Sequence, residues 1–316
     1  MKVTVREEDL LHPTVALTPE CMNLGGLGLK LWPRPEPPVA PERPRKPLEE
    51  KERYRGVEGD QLACEVQPSW PETLVVSVAD REGAIHEWVL EARQRVPGER
   101  AAGIIRAKGH RRLATGKEPR DLGEARPKAR AAGRMTIALT RQPDRPPRQV
   151  TLRGAVTRGT FTGTRRPGGR LPPVEVMAVS AKECRPPSGE EPGAWLLRTS
   201  LPVVDFPRAC TVVQGYRCRW ERALFVRVLK QGCQIEPLRV QTDQRLLNAM
   251  ALYLIVAWRI HHITMASRAY PHAPGDMLFE PLEWHTMSTM PQHRPPPQAP
   301  PSLREMVRDL AQLGGF

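Results

Sequence analysis

Residues 216–230 read YRCRWERALFVRVLK. Leu224, Phe225, Val228 and Leu229 recur at helical spacing, so the stretch is expected to be a helix with one apolar face. It opens on Tyr216, with Arg219 and Arg222 around Trp220, and it closes on Lys230 just before Gly232, a stop signal. Upstream, the sequence reads as a sheet leading into this helix. Downstream, it reads as the helices that bury it.

Four regions follow from this reading. Residues 10–94 alternate strand and helix patterns. Val15, Leu17 and the alternation Leu27, Leu29, Leu31 suggest two strands around a turn at Asn23–Gly26, opening a sheet. Residues 33–47 are proline-rich and are expected to form an exposed loop. Residues 48–66 read as a helix with acid at its start. The run Leu74–Val78, LVVSV, reads as a buried strand entering Asp80, Arg81 and Glu82, with a helix from about Ile85 to Gln94. Residues 95–200 read as a basic, loop-rich segment followed by an inserted antiparallel β region, MTIAL, QVTLRGAV, PVEVMAV and AWLLRTS, separated by turn-rich segments. Residues 201–270 hold a helix from Phe206, the quoted stretch, and a long helix capped by Thr242 that is apolar nearly all round and therefore expected to be buried. Residues 271–316 are proline-rich and end in an amphipathic helix, Ser302–Leu313.

The chain carries 48 Lys and Arg against 35 Asp and Glu, a net charge of +13, with a pI near 10.0. Residues 93–170 hold 21 of the bases and 5 of the acids, a local excess of 16, so the remainder is slightly acidic. Such a segment suits phosphate contacts that position a duplex without reading it; it is also what solvated, Arg-biased loops look like. The six cysteines form no C-x-x-C pair and are expected to be thiols. The N-terminus lacks a signal-peptide core. The apolar run Leu246–Trp258 is shorter than a membrane span. A cytoplasmic protein without membrane association is expected.

An aspartate at the carboxyl end of a buried strand lies where α/β sheets place ligands and catalytic groups. Asp80 would serve equally as the N-cap of the following helix. Arg219 and Lys230 are candidate donors to a phosphate backbone beside Tyr216.

With these residues in view, 10–316 resembles the bacterial DDE transposases of the insertion-sequence-four family. That family's signature is Tyr, two residues, Arg, three residues, Glu, six residues, Lys. Tyr216, Arg219 and Lys230 keep the spacing and the identities, and Ala223 stands where the family has its catalytic Glu. Asp80-Arg81-Glu82 is similar to the second catalytic aspartate and its neighbours, and Trp195 to a tryptophan at the tip of the β insertion that stacks near a flipped base. The resemblance implies an α/β fold, a ribonuclease-H-like mixed sheet flanked by helices with an inserted antiparallel β region. It also implies catalysis and metal binding at Asp80, DNA contacts from Tyr216, Arg219, Lys230, Trp195 and Arg81, Mg²⁺ or Mn²⁺ as cofactor, and a dimer on double-stranded transposon ends.

Departures from the pattern shape the expected activity. The methyl group of Ala223 cannot bind a cation. Glu221 is two residues away, about 200° around a helix, and points to nearly the opposite side. The strand carrying the family's first aspartate is expected before residue 10, where only MKVTVREED stands and Asp9 has no strand context. One of three metal carboxylates remains. The expectation is a transposase-family protein impaired in cleavage; the alternative is a non-catalytic, sequence-tolerant DNA-binding remnant acting through residues 93–170.

Overall fold

The structure is a computed structural model. It describes residues 3–4, 10–32, 55–80, 88–90, 99–107, 112–113, 120–121, 130–139, 147–161, 165–166, 169–235, 237–290, 295 and 297–314. The expected loop at 33–47, the acidic helix start at 48–54, Arg81, Glu82, most of the helix at 85–94 and part of the basic segment lie outside the described residues.

The main strands are β1 (Leu10–Leu17), β2 (Asn23–Trp32), β3 (Val76–Ala79), β4 (Ala102–Arg106), β5 (Arg130–Leu139), β6 (Arg148–Phe161), β7 (Val174–Glu183) and β8 (Ala194–Thr199). The main helices are α1 (Arg55–Val66), α2 (Phe206–Arg217), α3 (Arg219–Arg227), α4 (Asp243–Ala269), α5 (Pro281–Thr289) and α6 (Leu303–Leu313). The chain forms two compact units: 36–220, and 1–35 with 221–316. The boundaries expected at 94/95 and 200/201 both fall inside the first of these.

Unit 36–220 is a curled mixed sheet in the order β3-β4-β8-β7-β6-β5, with helices against it. β3 and β4 are parallel, Val76 opposite Ala102 and Ala79 opposite Ile105; every other neighbouring pair is antiparallel. Two expectations change here. The antiparallel strands are not a region apart from the core: β8 bonds directly to β4, so they continue the core sheet. And the segment read as loop-rich contains β4, a strand with a neighbour on each side. Its apolar run is short, and the basic residues after it conceal it.

Alternation sorts this sheet into two faces. Ile105, Ala178 and Val176 face Val57 of α1 and Trp88. Ile104, Leu197 and Val179 face Val212, Val213 and Tyr216 of α2. α2 is started by Asp205, whose side chain accepts the Arg208 N–H at 2.8 Å, with Pro207 in its first turn. Phe206 packs against two strand glycines; a Cβ on Gly133 or Gly154 would come within 2.6 and 2.9 Å of its ring. On the other face a Cβ on Gly103 would stand 2.0 Å from Trp88, which is buried. Gly103→Ala is therefore expected to lower the unfolding free energy by about 2 kcal/mol through overpacking, measured by urea denaturation; an unchanged midpoint would remove Trp88 from this contact.

In unit 1–35 with 221–316, β1 and β2 pair with each other and, among the described residues, with no other strand. Their turn runs through Thr18–Met22, with Cys21 at φ 73°, not through Asn23–Gly26. Asn23 is drawn into β2 because its side chain is fully buried and bonded. α4 starts at the expected cap, Thr242, which accepts the Arg245 N–H at 3.3 Å. It is not buried all round: Leu246, Met250 and Ala257 face inward, whereas Leu252 and Ile255 face solvent. Gln244–Ala269 is also long and apolar enough to cross a membrane by length and composition alone, which the shorter run Leu246–Trp258 does not suggest. α6 begins with a capping box between Ser302 and Glu305, at its expected start. α5 is an unforeseen helix, started by a second capping box, Glu280 with Glu283, and Pro281.

Cys184, Cys210 and Cys233 are free thiols. Cys21 and Cys218 are each oxidised, contrary to the expectation of six thiols.

Candidate nucleic-acid interface

Asp80 follows the last residue of β3. Parallel pairing sets the carboxyl ends of β3 and β4 side by side, and Arg106, the last residue of β4, lies opposite Leu197 of β8. Asp80, Arg106 and Trp195 thus fall at one end of the sheet. By alternation they share the face of Val76, Val78, Ile104 and Leu197, over which α2 packs.

α2 delivers Tyr216 to that point. Gly215 permits the approach, since a Cβ there would meet Ile104 Cδ1 at 3.2 Å. The Tyr216 ring is fully buried. Its hydroxyl donates to Asp80 Oδ1 at 3.3 Å, and its ring meets that of Trp195 edge-on, with centroids 5.5 Å apart. Burial pushes the Tyr216 phenol up, and the Asp80 carboxylate adds to this; Arg219 and Arg106 pull the other way. The phenol remains a neutral donor at physiological pH.

The quoted stretch is not one helix. The Cys218 N–H bonds to the carbonyls of Gly215 and Tyr216, closing α2 in a tight turn, and α3 starts afresh at Arg219. Arg219 Nη1 stands 3.4 Å from Asp80 Oδ2, and its Cζ lies 5.7 Å from the Tyr216 ring centroid and 4.7 Å from that of Trp220. Asp80 therefore has a donor on each oxygen. The start of the helix that it could cap lies outside the described residues. The pair with Arg219 contributes no more than about 1 kcal/mol, because Asp80 is partly open to water.

Four residues singled out from the sequence, Asp80, Trp195, Tyr216 and Arg219, are thus gathered in one cluster. Trp195 does not stand on an exposed tip; it sits in the ladder opposite Ala181, half-buried. Arg106 belongs to the cluster as well. Its positive charge lies near enough to the Tyr216 phenol to oppose the upward shift, and it donates from Nη2 to the Ala194 carbonyl at 3.4 Å. Its signal was available: it ends an apolar strand run, as Asp80 does.

The division between the units falls between Trp220 and Glu221, inside α3. In the other unit Ala223 is exposed, and Lys230 is half-buried in the π-turn Val228–Gly232. Glu221 turns inward, as the helical angle requires. Its Oε2 lies 3.4 Å from His261 Nε2, both side chains being almost wholly buried. The Asn23 amide donates to His261 Nδ1 at 3.1 Å, and its oxygen accepts the Gly25 N–H at 3.0 Å, which fixes its orientation. The ring proton accordingly sits on Nε2, facing Glu221.

These residues do not fit a pair of divalent cations, which need several shared oxygen ligands. Both oxygens of Asp80 are engaged, Ala223 has none to offer and Glu221 faces His261. Among the described residues no three His, Cys, Asp or Glu side chains gather as a metal site. What the cluster supplies is positive charge and N–H donors at a sheet end.

Within unit 1–35 with 221–316 there is a cleft of about 580 Å³ lined by Trp258, Arg259, His262, Asp276, Phe279 and Glu283, among others. None of the residues singled out from the sequence lies in it. No known family model matches the chain.

Proposed function

We propose that this chain is a protein of the insertion-sequence-four transposase type, derived from DNA transposition and built on a ribonuclease-H-like core. Its remaining activity is to hold double-stranded DNA by the phosphates without cutting it. One observation carries the reading. The resemblance assigns Asp80, Tyr216 and Arg219 to one functional site, and Tyr216 and Arg219 lie 3.3 and 3.4 Å from the two Asp80 oxygens. Tyr216, Arg219 and Arg106 are donors suited to a phosphate, and the basic segment 93–170 adds the long-range attraction. Asp80 acts here as a brace for Tyr216 and Arg219, not as a metal ligand. Magnesium or manganese chemistry, implied by the resemblance, has no ligand set in these residues.

The brace reading sets the direction of a mutation. In a metal-dependent nuclease, loss of the aspartate abolishes cleavage. Here Asp80→Asn keeps the hydrogen-bonding shape and removes a negative charge beside the donors. Affinity for a duplex, measured by fluorescence anisotropy, is expected to rise several-fold. No nicking of duplex DNA is expected from either protein in Mg²⁺ or Mn²⁺. Nicking by the parent protein that disappears in Asp80→Ala would overturn the reading.

A further inference from the structure

Trp258 and His262 stand one turn apart on α4, and both bond the backbone carbonyl of Asn23 in β2, from Nε1 at 3.0 Å and from Nδ1 at 2.8 Å. A carbonyl oxygen only accepts, so His262 carries its proton on Nδ1. The neutral ring then keeps a lone pair on Nε2, the nitrogen turned away from Asn23. Both rings line the cleft of about 580 Å³ in this unit, with centroids 5.5 Å apart. Phe279 adds a third aromatic wall. Arg259 Cζ already lies 5.9 Å from the centroid of that ring, so a cation is accommodated over it. We propose that this cleft binds a small organic ammonium ion with an aromatic or apolar body, at a site independent of the function proposed above.

Three features select that ligand. The first is charge. Asp276, Glu280 and Glu283 line the cleft against Arg259 and the neutral His262, an acidic site in a chain of net charge +13. Arg259 is already engaged, its Nη2 donating to both Glu283 oxygens at 2.8 Å. Glu283 also accepts the Glu280 N–H at 2.9 Å, and the Glu280 side chain closes the same capping box. Asp276 is exposed and makes no hydrogen bond or ion pair among the described residues. The second is the balance of donors and acceptors. Apart from Arg259, the charged and imidazole groups facing the cleft are acceptors, the His262 Nε2 lone pair included, so the ligand must bring the N–H groups. The third is size. The volume is that of a site for a small molecule, and among the described residues no three metal-ligating side chains gather. A lysine side chain, a thin alkyl stem, would leave most of the space and the aromatic walls uncovered.

The test is calorimetric titration of the full chain, at moderate salt, with three probes of similar shape: phenethylammonium, the neutral phenethyl alcohol and the anion phenylpropionate. Saturable one-to-one binding of the ammonium is expected, about ten-fold tighter than that of the alcohol, with no competition from the anion. Asp276→Asn is expected to weaken the ammonium about five-fold without moving the circular dichroism melt, since Asp276 is exposed. His262→Asn keeps a donor for the Asn23 carbonyl and removes Nε2, and is expected to weaken it as well. An Ala-Lys-Ala peptide blocked at both ends is expected to bind more weakly than the free amine. Each of five results would overturn the proposal: no binding at millimolar ammonium; equal affinity for all three probes, which would make the cleft merely apolar; displacement of the ammonium by phenylpropionate, which would give the cleft to Arg259 and an anion; unchanged ammonium affinity in both variants; and tighter binding of the lysine peptide, which would make the occupant a protein side chain.

Discussion

Glu221→Ala protein is expected to unfold about 3 kcal/mol more easily than the parent, and to bind duplex DNA as tightly wherever both are folded. The substitution removes the only carboxylate in the quoted stretch, so it separates two readings of that carboxylate. Glu221 and His261 face each other in an interior where neither can reach water. Glu221 Oε2 and His261 Nε2 face each other at 3.4 Å without forming a hydrogen bond, so removing Glu221 takes away an electrostatic contact, at a cost of about 1 kcal/mol. It also leaves a cavity, whose cost adds to this. The Asn23 amide cannot turn to compensate, because its oxygen is held by the Gly25 N–H. Glu221→Gln retains the shape and an oxygen beside His261 and should cost less than about 1 kcal/mol. Equilibrium urea denaturation of the three proteins measures both effects. Equal stability of Glu221→Ala and the parent would mean that Glu221 is not part of this buried chain.

The contrast between Glu221 and Ala223 shows what could be read from sequence and why. Helical geometry alone separates the two positions by about 200°, and the inward Glu221 and exposed Ala223 follow it. The caps Thr242 and Ser302 were legible because a cap is local chemistry: a hydroxyl that meets an N–H three residues on. The strand end at Asp80 was legible because the run is β-branched and uninterrupted. The strand itself is Val76–Ala79, half-buried at the end of the sheet order, and Leu74 is exposed, so it is not the buried strand expected at Leu74–Val78. Long-range matters were less so. Arg106 joins Tyr216 only through the parallel register of β3 and β4, which no local pattern encodes. The antiparallel strands looked like an insertion because turn-rich segments separate them, yet the bond ladder between β8 and β4 makes them one sheet. The turn of the first hairpin was misplaced because Asn and Gly are turn residues by propensity, whereas Asn23 is held in β2 by His261 from far along the chain. The apolar surround of α4 suggested burial, yet Leu252 and Ile255 face solvent, because apolar composition alone does not say which sides of a helix are covered.

The largest effect expected of the protein is on DNA affinity. The segment 93–170 carries an excess of 16 positive charges, and the cluster at the sheet end adds Arg219 to Arg106. If about six phosphates are neutralised on binding, the observed association constant varies with salt to a power near −5, and affinity falls about a thousand-fold between 50 and 200 mM salt. The slope should be nearly the same for unrelated duplex sequences, because phosphate contacts position a duplex and do not read it. Asp80→Asn should raise the affinity while leaving the slope within about one unit.

The measurement that bears most directly on this account is therefore a salt titration of duplex binding by the full chain, with unrelated duplexes in parallel. A steep linear fall of the logarithm of the association constant with the logarithm of salt, shared by all sequences and accompanied by no strand cleavage, is the predicted result. An affinity that barely changes between 50 and 200 mM salt, or the absence of duplex binding at 50 mM, would contradict it.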